Sequence, residues 1–285
     1  MPTYEPFDWY ETPVYYDIIY DVDTKKDATF LEQCYAKHAS DVVEGKPLTI
    51  LEPACGSGRI MAELASRGHR VAGVDLSQGM LDFARKRFKN RGVRGKIVQA
   101  PMQAFDLHRF ATKAAPSPNP SLKGGGFDLA HILVSSFKYL QTEQSAADCL
   151  SCIADHLRVG GVLLLGIHLT DPDDNNRYLE RWRAQRDKLD VICTVRTNPP
   201  NHKTRTEDLR SRLVVRDVKK PDAEPKRYES NWTFRTYSPA QLRSLLRKEP
   251  RLKHVSTYDF HHDINIRSKL NGDDLGVVLV MHKVI

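Results

Sequence analysis

Cysteine is scarce in this 285-residue sequence and lacks the spacing of a zinc site. Cys149 and Cys152 form a C-x-x-C pair, whereas a four-cysteine site needs a second pair. Because these two thiols lie one helical turn apart among apolar residues, we expect them to be core thiols. A chain without a disulfide framework fits a reducing compartment, and we expect a cytoplasmic location. The cysteines are at positions 34, 55, 149, 152 and 193.

Long hydrophobic runs are absent as well. No stretch approaches the roughly 20 apolar residues of a membrane-spanning helix, and the N-terminus has no signal-peptide pattern. We therefore expect no membrane partner. Hydrophobic residues make up 40% of the chain, which suits one large α/β domain or a core domain with a substantial insertion.

Neither sign of charge is concentrated in one block. The net charge of +7 leaves nucleic acid or an anionic substrate open as a partner. Acidic and basic residues alternate through most of the chain, however, which favours a mixed, solvated surface. The sequence leaves the oligomeric state open.

The most informative stretch comprises residues 49–75. An apolar run ends in Glu52, a glycine-rich turn and a helical pattern follow, and a second apolar run ends in Asp75. This order predicts strand, tight turn, helix and strand, with an acid at the end of each strand. We expect Gly56 and Gly58 where φ is positive or where the backbone approaches a ligand.

The same stretch distinguishes between nucleotide cofactors. A dinucleotide-binding turn needs a small third residue for close helix packing, and Met61 occupies that position. Glu52 would repel a phosphate but suits a cationic ligand. Asp75 lies about 20 residues beyond the turn, where an acid accepts the hydroxyl groups of a ribose. The alternative for Asp75 is a cap for the helix that starts near Ser77.

Five segments in order resemble the signatures of class I S-adenosylmethionine-dependent methyltransferases. Residues 51–59 (LEPACGSGR) resemble the first signature and residues 73–77 (GVDLS) the second. Residues 100–102 occupy the third position, without the acid that many members carry, and residues 127–137 and 157–161 resemble the fourth and fifth. The resemblance implies an α/β fold with a Rossmann-like, seven-stranded, mostly parallel sheet whose last strand is antiparallel. It also implies an antiparallel β insertion near the substrate side.

The resemblance implies S-adenosyl-L-methionine as cofactor and S-adenosyl-L-homocysteine as product. Glu52 would orient the amino acid part, Arg59 would assist at its carboxylate, and Met80 would lie beside the adenine. The expected cofactor contacts are Glu52, Ala54, Gly56, Gly58, Arg59, Asp75, Leu76, Met80, Pro101, Met102, Val134 and Ser135.

Methyl transfer mainly needs the acceptor and the methyl group held in line, with a base only where the acceptor must lose a proton. His168 follows the fifth strand, where α/β sheets bind ligands, and His262 follows a later strand. Tyr16 and Tyr20 lie four residues apart in a short helix of the aromatic N-terminal segment. These four are the candidate catalytic residues. The acidic cluster at 171–175 is interpreted as a helix start, and no metal site is expected.

The chain divides into an N-terminal lid and helical segment, residues 1–45, and a methyltransferase core, residues 46–285. Within the core, residues 170–237 are expected to form the substrate-side insertion. A helix is predicted from Asp171 to about Leu189, followed by antiparallel strands. Residues 111–126, rich in proline, serine and glycine, are predicted to form a mobile loop.

A small-molecule methyltransferase acting at nitrogen or oxygen is the function that the sequence favours, because the aromatic N-terminus and the insertion could enclose a pocket. An RNA methyltransferase is one alternative, supported by the net charge and by Arg205, Arg210, Arg212 and Arg216. The aminomethylating signature [DN]-P-P-[FY] is absent after the fourth strand, where Ser135-Ser136-Phe137 stands. A non-catalytic regulatory subunit that binds S-adenosylmethionine is the other alternative.

Overall fold

The computed structural model describes residues 2–39, 42–43, 45–111 and 125–285. Most of the loop predicted at 111–126 therefore lies outside the described residues. None of the described helices is long and apolar enough to cross a membrane. The helices are α1 (Pro13–Tyr20), α2 (Thr24–His38), α3 (Arg59–Ser66), α4 (Gln78–Arg91), α5 (His108–Ala111), α6 (Glu143–His156) and α7 (Pro239–Leu246).

The described strands form two sheets. The strands are β1 (Glu5–Pro6), β2 (Thr49–Pro53), β3 (Arg70–Asp75), β4 (Lys96–Gln99), β5 (Phe127–Ile132), β6 (Leu157–His168), β7 (Tyr178–Arg186), β8 (Leu189–Thr197), β9 (Thr206–Asp217), β10 (Lys226–Arg235), β11 (Leu252–Asp259) and β12 (Gly276–Lys283).

The larger sheet has the strand order β11-β12-β6-β5-β2-β3-β4. Its strands are parallel except for β12, which runs antiparallel to both β6 and β11. The predicted seven-stranded sheet with an antiparallel last strand is thus confirmed. In this topology β2 lies between β3 and β5, so the carboxyl ends of these three strands meet at one edge.

Both faces of the larger sheet are covered by helices, which explains why its strands read as short, nearly continuous apolar runs. One core cluster joins the sheet to α6 and α7, and Cys149 lies within it with no exposed surface. A second cluster joins the other face to α2 and α3. The sheet from which the ligand-side loops extend is therefore held between two helical layers.

The smaller sheet has the order β1-β10-β9-β8-β7. Its strands β7 to β10 pair as consecutive antiparallel neighbours. The sequence predicts antiparallel strands for the region of β8 to β10. The N-terminal segment packs on one face of this sheet, with Trp9, Ile18 and Ile19 buried against residues of β8 and β9. The aromatic N-terminus therefore joins the two sheets.

The predicted helix from Asp171 to about Leu189 is wrong, because residues 178–186 form β7. Arg186 pairs directly with Leu189, so Asp187 and Lys188 make a two-residue hairpin turn. Asp187 has a φ of 54°, as this type of hairpin requires. The segment is rich in residues that favour helices, but pairing with β8 outweighs that local preference.

Candidate functional site

The glycine-rich turn between β2 and α3 adopts the conformation that the sequence predicts. Gly56 and Gly58 have φ values of 51° and 65°, and Ala54 also has a positive φ of 57°. A side chain on Gly58 would place its Cβ 2.9 Å from the Cβ of Ala84, so glycine also permits the close packing of α3 on α4. The turn therefore presents its backbone at the end of β2 with no bulky side chain at Gly58.

Asp75 fastens this turn to the start of α4. Its Oδ2 accepts a hydrogen bond from the Gly56 amide at 2.8 Å, and its Oδ1 accepts one from the Ser77 amide at 2.9 Å. Ser77 itself caps α4, because its side chain accepts a bond from the Met80 amide at 3.1 Å. Burial raises the pKa of Asp75, and the three backbone hydrogen bonds that it accepts oppose this rise.

Glu52 is the second acid at this edge and is almost fully buried. Burial raises its pKa to about 8, although the charge of Arg59 works in the opposite direction. Its Oε2 has no hydrogen-bond partner among the described residues. A buried oxygen of this kind is an unused acceptor for a ligand that brings its own donor.

Arg59 lies in the first turn of α3 and is buried. Its Nη1 donates to Asp27 Oδ2 at 2.6 Å and to Thr24 Oγ1 at 3.2 Å. Asp27 also accepts a bond from His262 Nδ1 at 2.6 Å. Although burial alone would raise the pKa of Asp27, these partners lower it. His262 is thus directed at Asp27 on α2.

Four tyrosines gather above the turn. Tyr16 and Tyr20 have ring centroids 4.4 Å apart, as their spacing on α1 predicts. The hydroxyl of Tyr10 lies 2.5 Å from that of Tyr139, which joins the N-terminal segment to the short 3-10 helix after β5. Burial raises the pKa of Tyr16 to about 12 and that of Tyr10 well above its usual value. All four hydroxyls are therefore protonated near neutral pH.

Asp17 anchors α1 over the turn, a role that the sequence analysis missed. It has no exposed surface, and its Oδ1 accepts a hydrogen bond from Ser57 Oγ at 2.7 Å. It also forms ion pairs with Arg87 of α4 and, at 2.6 Å, with Arg186 of β7. Tyr10 and Tyr139 were missed too, although Tyr139 falls just after the fourth signature and Tyr10 belongs to the aromatic segment.

A small cavity lies between the turn, α1 and the end of β5. Its free volume is about 30 Å³, room for one or two water molecules. Tyr20, His168 and His262 are not among the residues that line it. The predicted site residues that do line it are Tyr16, Glu52, Ala54, Gly56, Arg59 and Val134.

The other predicted cofactor contacts do not line this cavity. Leu76 is 65% exposed at the end of β3, whereas Met80 is fully buried. Pro101 and Met102 follow β4, and the neighbouring Ala100 amide donates to the Asp75 carbonyl at 3.1 Å. The segment that resembles the third signature is therefore held beside Asp75.

Ser135 and His168 face each other across the ends of β5 and β6. The Ser135 Oγ is 2.8 Å from His168 Nδ1 and accepts a bond from the His168 amide at 3.0 Å. The His168 ring packs on Phe260, with centroids 4.0 Å apart. Burial and the charge of Lys138 lower the pKa of His168 to about 4, so the imidazole is neutral near neutral pH.

One group of described residues has the proximity of metal ligands, namely Asp106, His108 and His156. Both ring nitrogens of His156 are already used: Nδ1 pairs with the Cys152 carbonyl at 2.7 Å, and Nε2 accepts from the Leu107 amide at 3.0 Å. His156 therefore has no lone pair left for a metal.

Comparisons with known proteins show similarity to methyltransferases. Residues 50–161 match the family model described as a methyltransferase domain. A "Putative methyltransferase YqeM" of Bacillus subtilis is 27% identical over 156 residues, covering 50% of this chain and 57% of that protein. A Streptomyces venezuelae protein, named dTDP-3-amino-3,4,6-trideoxy-alpha-D-glucopyranose N,N-dimethyltransferase, is 27% identical over 137 residues, covering 46% of this chain and 49% of that one. The chain thus spans about half the length of these curated relatives.

The fold is also that of solved structures. An S-adenosylmethionine-dependent methyltransferase from Clostridium acetobutylicum superimposes with a TM-score of 0.69 and 19% identity. The alignment covers 96% of this chain and 98% of that one, so both sheets take part in the likeness. The resemblance drawn from the five sequence segments is confirmed by this fold and by the domain match.

Proposed function

We propose that this chain, which carries a class I S-adenosylmethionine-dependent methyltransferase domain, transfers a methyl group from S-adenosylmethionine to a nitrogen or oxygen atom of a small molecule. The observation that carries the proposal is the unpaired, buried Oε2 of Glu52 beside the glycine-rich turn. With Asp75 on the neighbouring strand, it provides two acids at the edge where such sheets bind ligands.

The residues present fit the cofactor. Glu52 Oε2 would accept a hydrogen bond from the ammonium of its amino acid part, and Asp75 would accept from the ribose hydroxyls. The positive φ of Gly56 and Gly58 opens the turn for close approach of the ligand. S-adenosylmethionine supplies a methyl group made electrophilic by the positively charged sulfur. Arg59 is held by Asp27 at 2.6 Å, which positions its guanidinium at the cavity wall.

The acceptor side consists of tyrosines. Tyr10, Tyr16 and Tyr139 are protonated near neutral pH, because burial raises their pKa values. They therefore orient an acceptor through hydrogen bonds but are poor bases. A neutral amine has its own nucleophilic lone pair, whereas a hydroxyl group must lose its proton. This favours an amine acceptor, and the N,N-dimethyltransferase among the relatives supports the same choice.

The enclosure of the site also favours a small acceptor. Helix α1 covers the turn through Asp17, which binds Ser57 and Arg186. A cavity closed in this way suits a ligand that is taken up whole. Opening of α1 would admit the cofactor, since about 30 Å³ is too little for it.

An RNA acceptor is supported by the arginines of β9, but their side chains lie on the face of the sheet that is turned away from the candidate site. Leu213 and Val215 of β9 pack towards the N-terminal segment. Because side chains alternate along a strand, Arg210, Arg212 and Arg216 lie on the opposite face. These arginines are thus turned away from the tyrosines.

The test is methyl transfer from labelled S-adenosylmethionine to a pool of small amines or to bulk tRNA. We expect label in small molecules, and Asp75→Asn should reduce it by weakening cofactor binding about tenfold or more. Label in RNA would contradict the small-molecule proposal. Tight cofactor binding without label in either pool would favour the non-catalytic regulatory subunit.

A further inference from the structure

The smaller sheet has a basic outer face that the proposed methyl transfer does not use. Its inner face packs on the N-terminal segment through Val195, Leu209 and Leu213. Residues that alternate with these, such as Arg196 and Arg210, lie on the outer face.

Two arginines stand directly opposite each other on this face. Arg196 of β8 and Arg210 of β9 are Cα partners in the antiparallel ladder. Like charges in this arrangement destabilise a sheet. The next pair along the same strands places Thr194 opposite Arg212, so a third guanidinium lies close by.

The acids of this face do not balance these charges. Glu229 pairs with Arg212 at 2.7 Å and is 3.8 Å from Arg210, so one carboxylate serves two arginines. Asp208 accepts a hydrogen bond from the Thr233 hydroxyl at 2.6 Å and forms no ion pair among the described residues. Arg196 likewise has no ion pair in the described part of the chain.

Within the described ranges of the chain, the guanidinium of Arg196 also lacks the partners that would compensate its charge and its buried nitrogen. Its Nε is buried and has no hydrogen-bond partner among the residues described. Burial, followed by the charges of Arg177, Arg210 and Arg212, lowers the pKa of its guanidinium. A bound anion would offset this positive charge, because guanidinium groups form strong charge-assisted hydrogen bonds with phosphate and carboxylate oxygens.

A groove of about 440 Å³ surrounds these two arginines, within the size range of ligand sites. Asn198 and Asn231 add amide groups to its lining. Trp232 borders the groove, but it is the partner of Leu209 and packs against the inner-face cluster. The groove therefore combines two guanidinium groups with hydrogen-bonding amides.

We propose that this groove binds the phosphate or diphosphate group of a small molecule, with Arg196 and Arg210 as its main charge partners. A guanidinium binds phosphate oxygens through two parallel hydrogen bonds. A small ligand fits better than a nucleic acid, since Asp208 in the groove lining and Glu229 beside it interrupt the basic surface. A polynucleotide backbone needs a continuous basic track.

The test is calorimetric titration of the full chain with pyrophosphate, without S-adenosylmethionine. Arg196→Gln and Arg210→Gln should each weaken binding by about tenfold or more. Arg227→Gln is the matched control. Arg227 of β10 lies on the same outer face of the sheet as Arg196 and Arg210, but it pairs with Glu224, whose side chain is 89% exposed. That variant should bind like the native protein.

A second readout is thermal stability without ligand. Arg196→Gln should leave the melting temperature unchanged or raise it, because it removes the like-charged pair with Arg210. Pyrophosphate should raise the melting temperature of the native protein but not of the Arg196→Gln variant. A destabilised Arg196→Gln variant would show that this arginine is structural and would overturn the proposal.

Titration with single-stranded RNA distinguishes a small phosphate ligand from a nucleic-acid backbone as the source of the bound phosphate. RNA bound more tightly than pyrophosphate, with Arg227→Gln as damaging as Arg210→Gln, would identify a polyanion surface and contradict a small-ligand site. No binding of pyrophosphate at millimolar concentration would also overturn the proposal. Neither result would bear on the methyl-transfer proposal, which is tested by label incorporation.

Discussion

Glu52 and His131 lie side by side on adjacent parallel strands, with Glu52 Oε2 3.8 Å from His131 Nε2. Neither atom has a hydrogen-bond partner among the described residues. Burial raises the pKa of Glu52 to about 8 and lowers that of His131 to about 3. Near neutral pH both groups are therefore uncharged, and Glu52 becomes a carboxylate only when a cation joins it.

Cofactor binding should release a proton from Glu52. The ammonium of S-adenosylmethionine favours the carboxylate, so binding lowers the pKa of Glu52 from about 8. Affinity should consequently rise with pH up to about 8 and then level off. Calorimetry at pH 7 in two buffers with different ionisation enthalpies measures the released proton. Glu52→Gln should abolish both the release and the pH dependence, and an unchanged proton count in that variant would contradict this role.

Glu52 should also make the fold less stable as pH rises. Its folded pKa, about 8, lies above the ordinary value of 4.5, so the native state holds a proton that the unfolded chain loses. The free energy of unfolding should fall between about pH 4.5 and pH 8. Glu52→Gln cannot ionise and should remove a fall on the order of 4 kcal/mol. Urea unfolding of the native protein and of Glu52→Gln at both ends of this pH range tests this prediction. If the free energy of unfolding changes with pH in the same way in both proteins, the prediction is wrong.

The large sheet can be predicted from the sequence because its strands carry their own signals. Asp75 ends β3 as expected, and Glu52 is the residue before the last one of β2. The β7 strand cannot be predicted in this way, because its residues favour a helix and only its pairing with β8 makes it a strand.

The anchor that holds α1 over the glycine-rich turn is hidden in the sequence, although the aromatic N-terminus predicts a lid. Asp17 gives no local signal, because its partners Ser57, Arg87 and Arg186 are far away in the chain. Only the folded arrangement of both sheets and α1 brings them together.

Tyr10→Phe should loosen the N-terminal segment without affecting the fold. The change removes the 2.5 Å contact between the Tyr10 and Tyr139 hydroxyls, which is worth about 1 kcal/mol. Amide hydrogen exchange at residues 7–12 should therefore become about fivefold faster. Tyr15→Phe is the control, because it removes a tyrosine hydroxyl of the same segment that contacts Tyr228 and not Tyr139. Equal acceleration in both variants would mean that the Tyr10–Tyr139 contact does not hold the segment.

Asp17→Asn should destabilise the protein and release α1 from the glycine-rich turn. The substitution removes a fully buried carboxylate that pairs with Arg87 and Arg186, and breaking a buried ion pair costs about 3–5 kcal/mol. Asp21→Asn is a matched control, because Asp21 contacts the same two arginines at 3.1 Å but is partly exposed.

Urea unfolding of the two variants distinguishes the roles of these acids. We expect a loss of about 1 kcal/mol or less for Asp21→Asn, several times smaller than for Asp17→Asn. Proteolysis within residues 1–20 should accelerate in Asp17→Asn alone, since only Asp17 reaches Ser57 in the turn. Similar losses of stability in the two variants would contradict this prediction. They would mean that Asp17 and Asp21 stabilise the arginines equally, and that α1 does not depend on Asp17 for its position over the site.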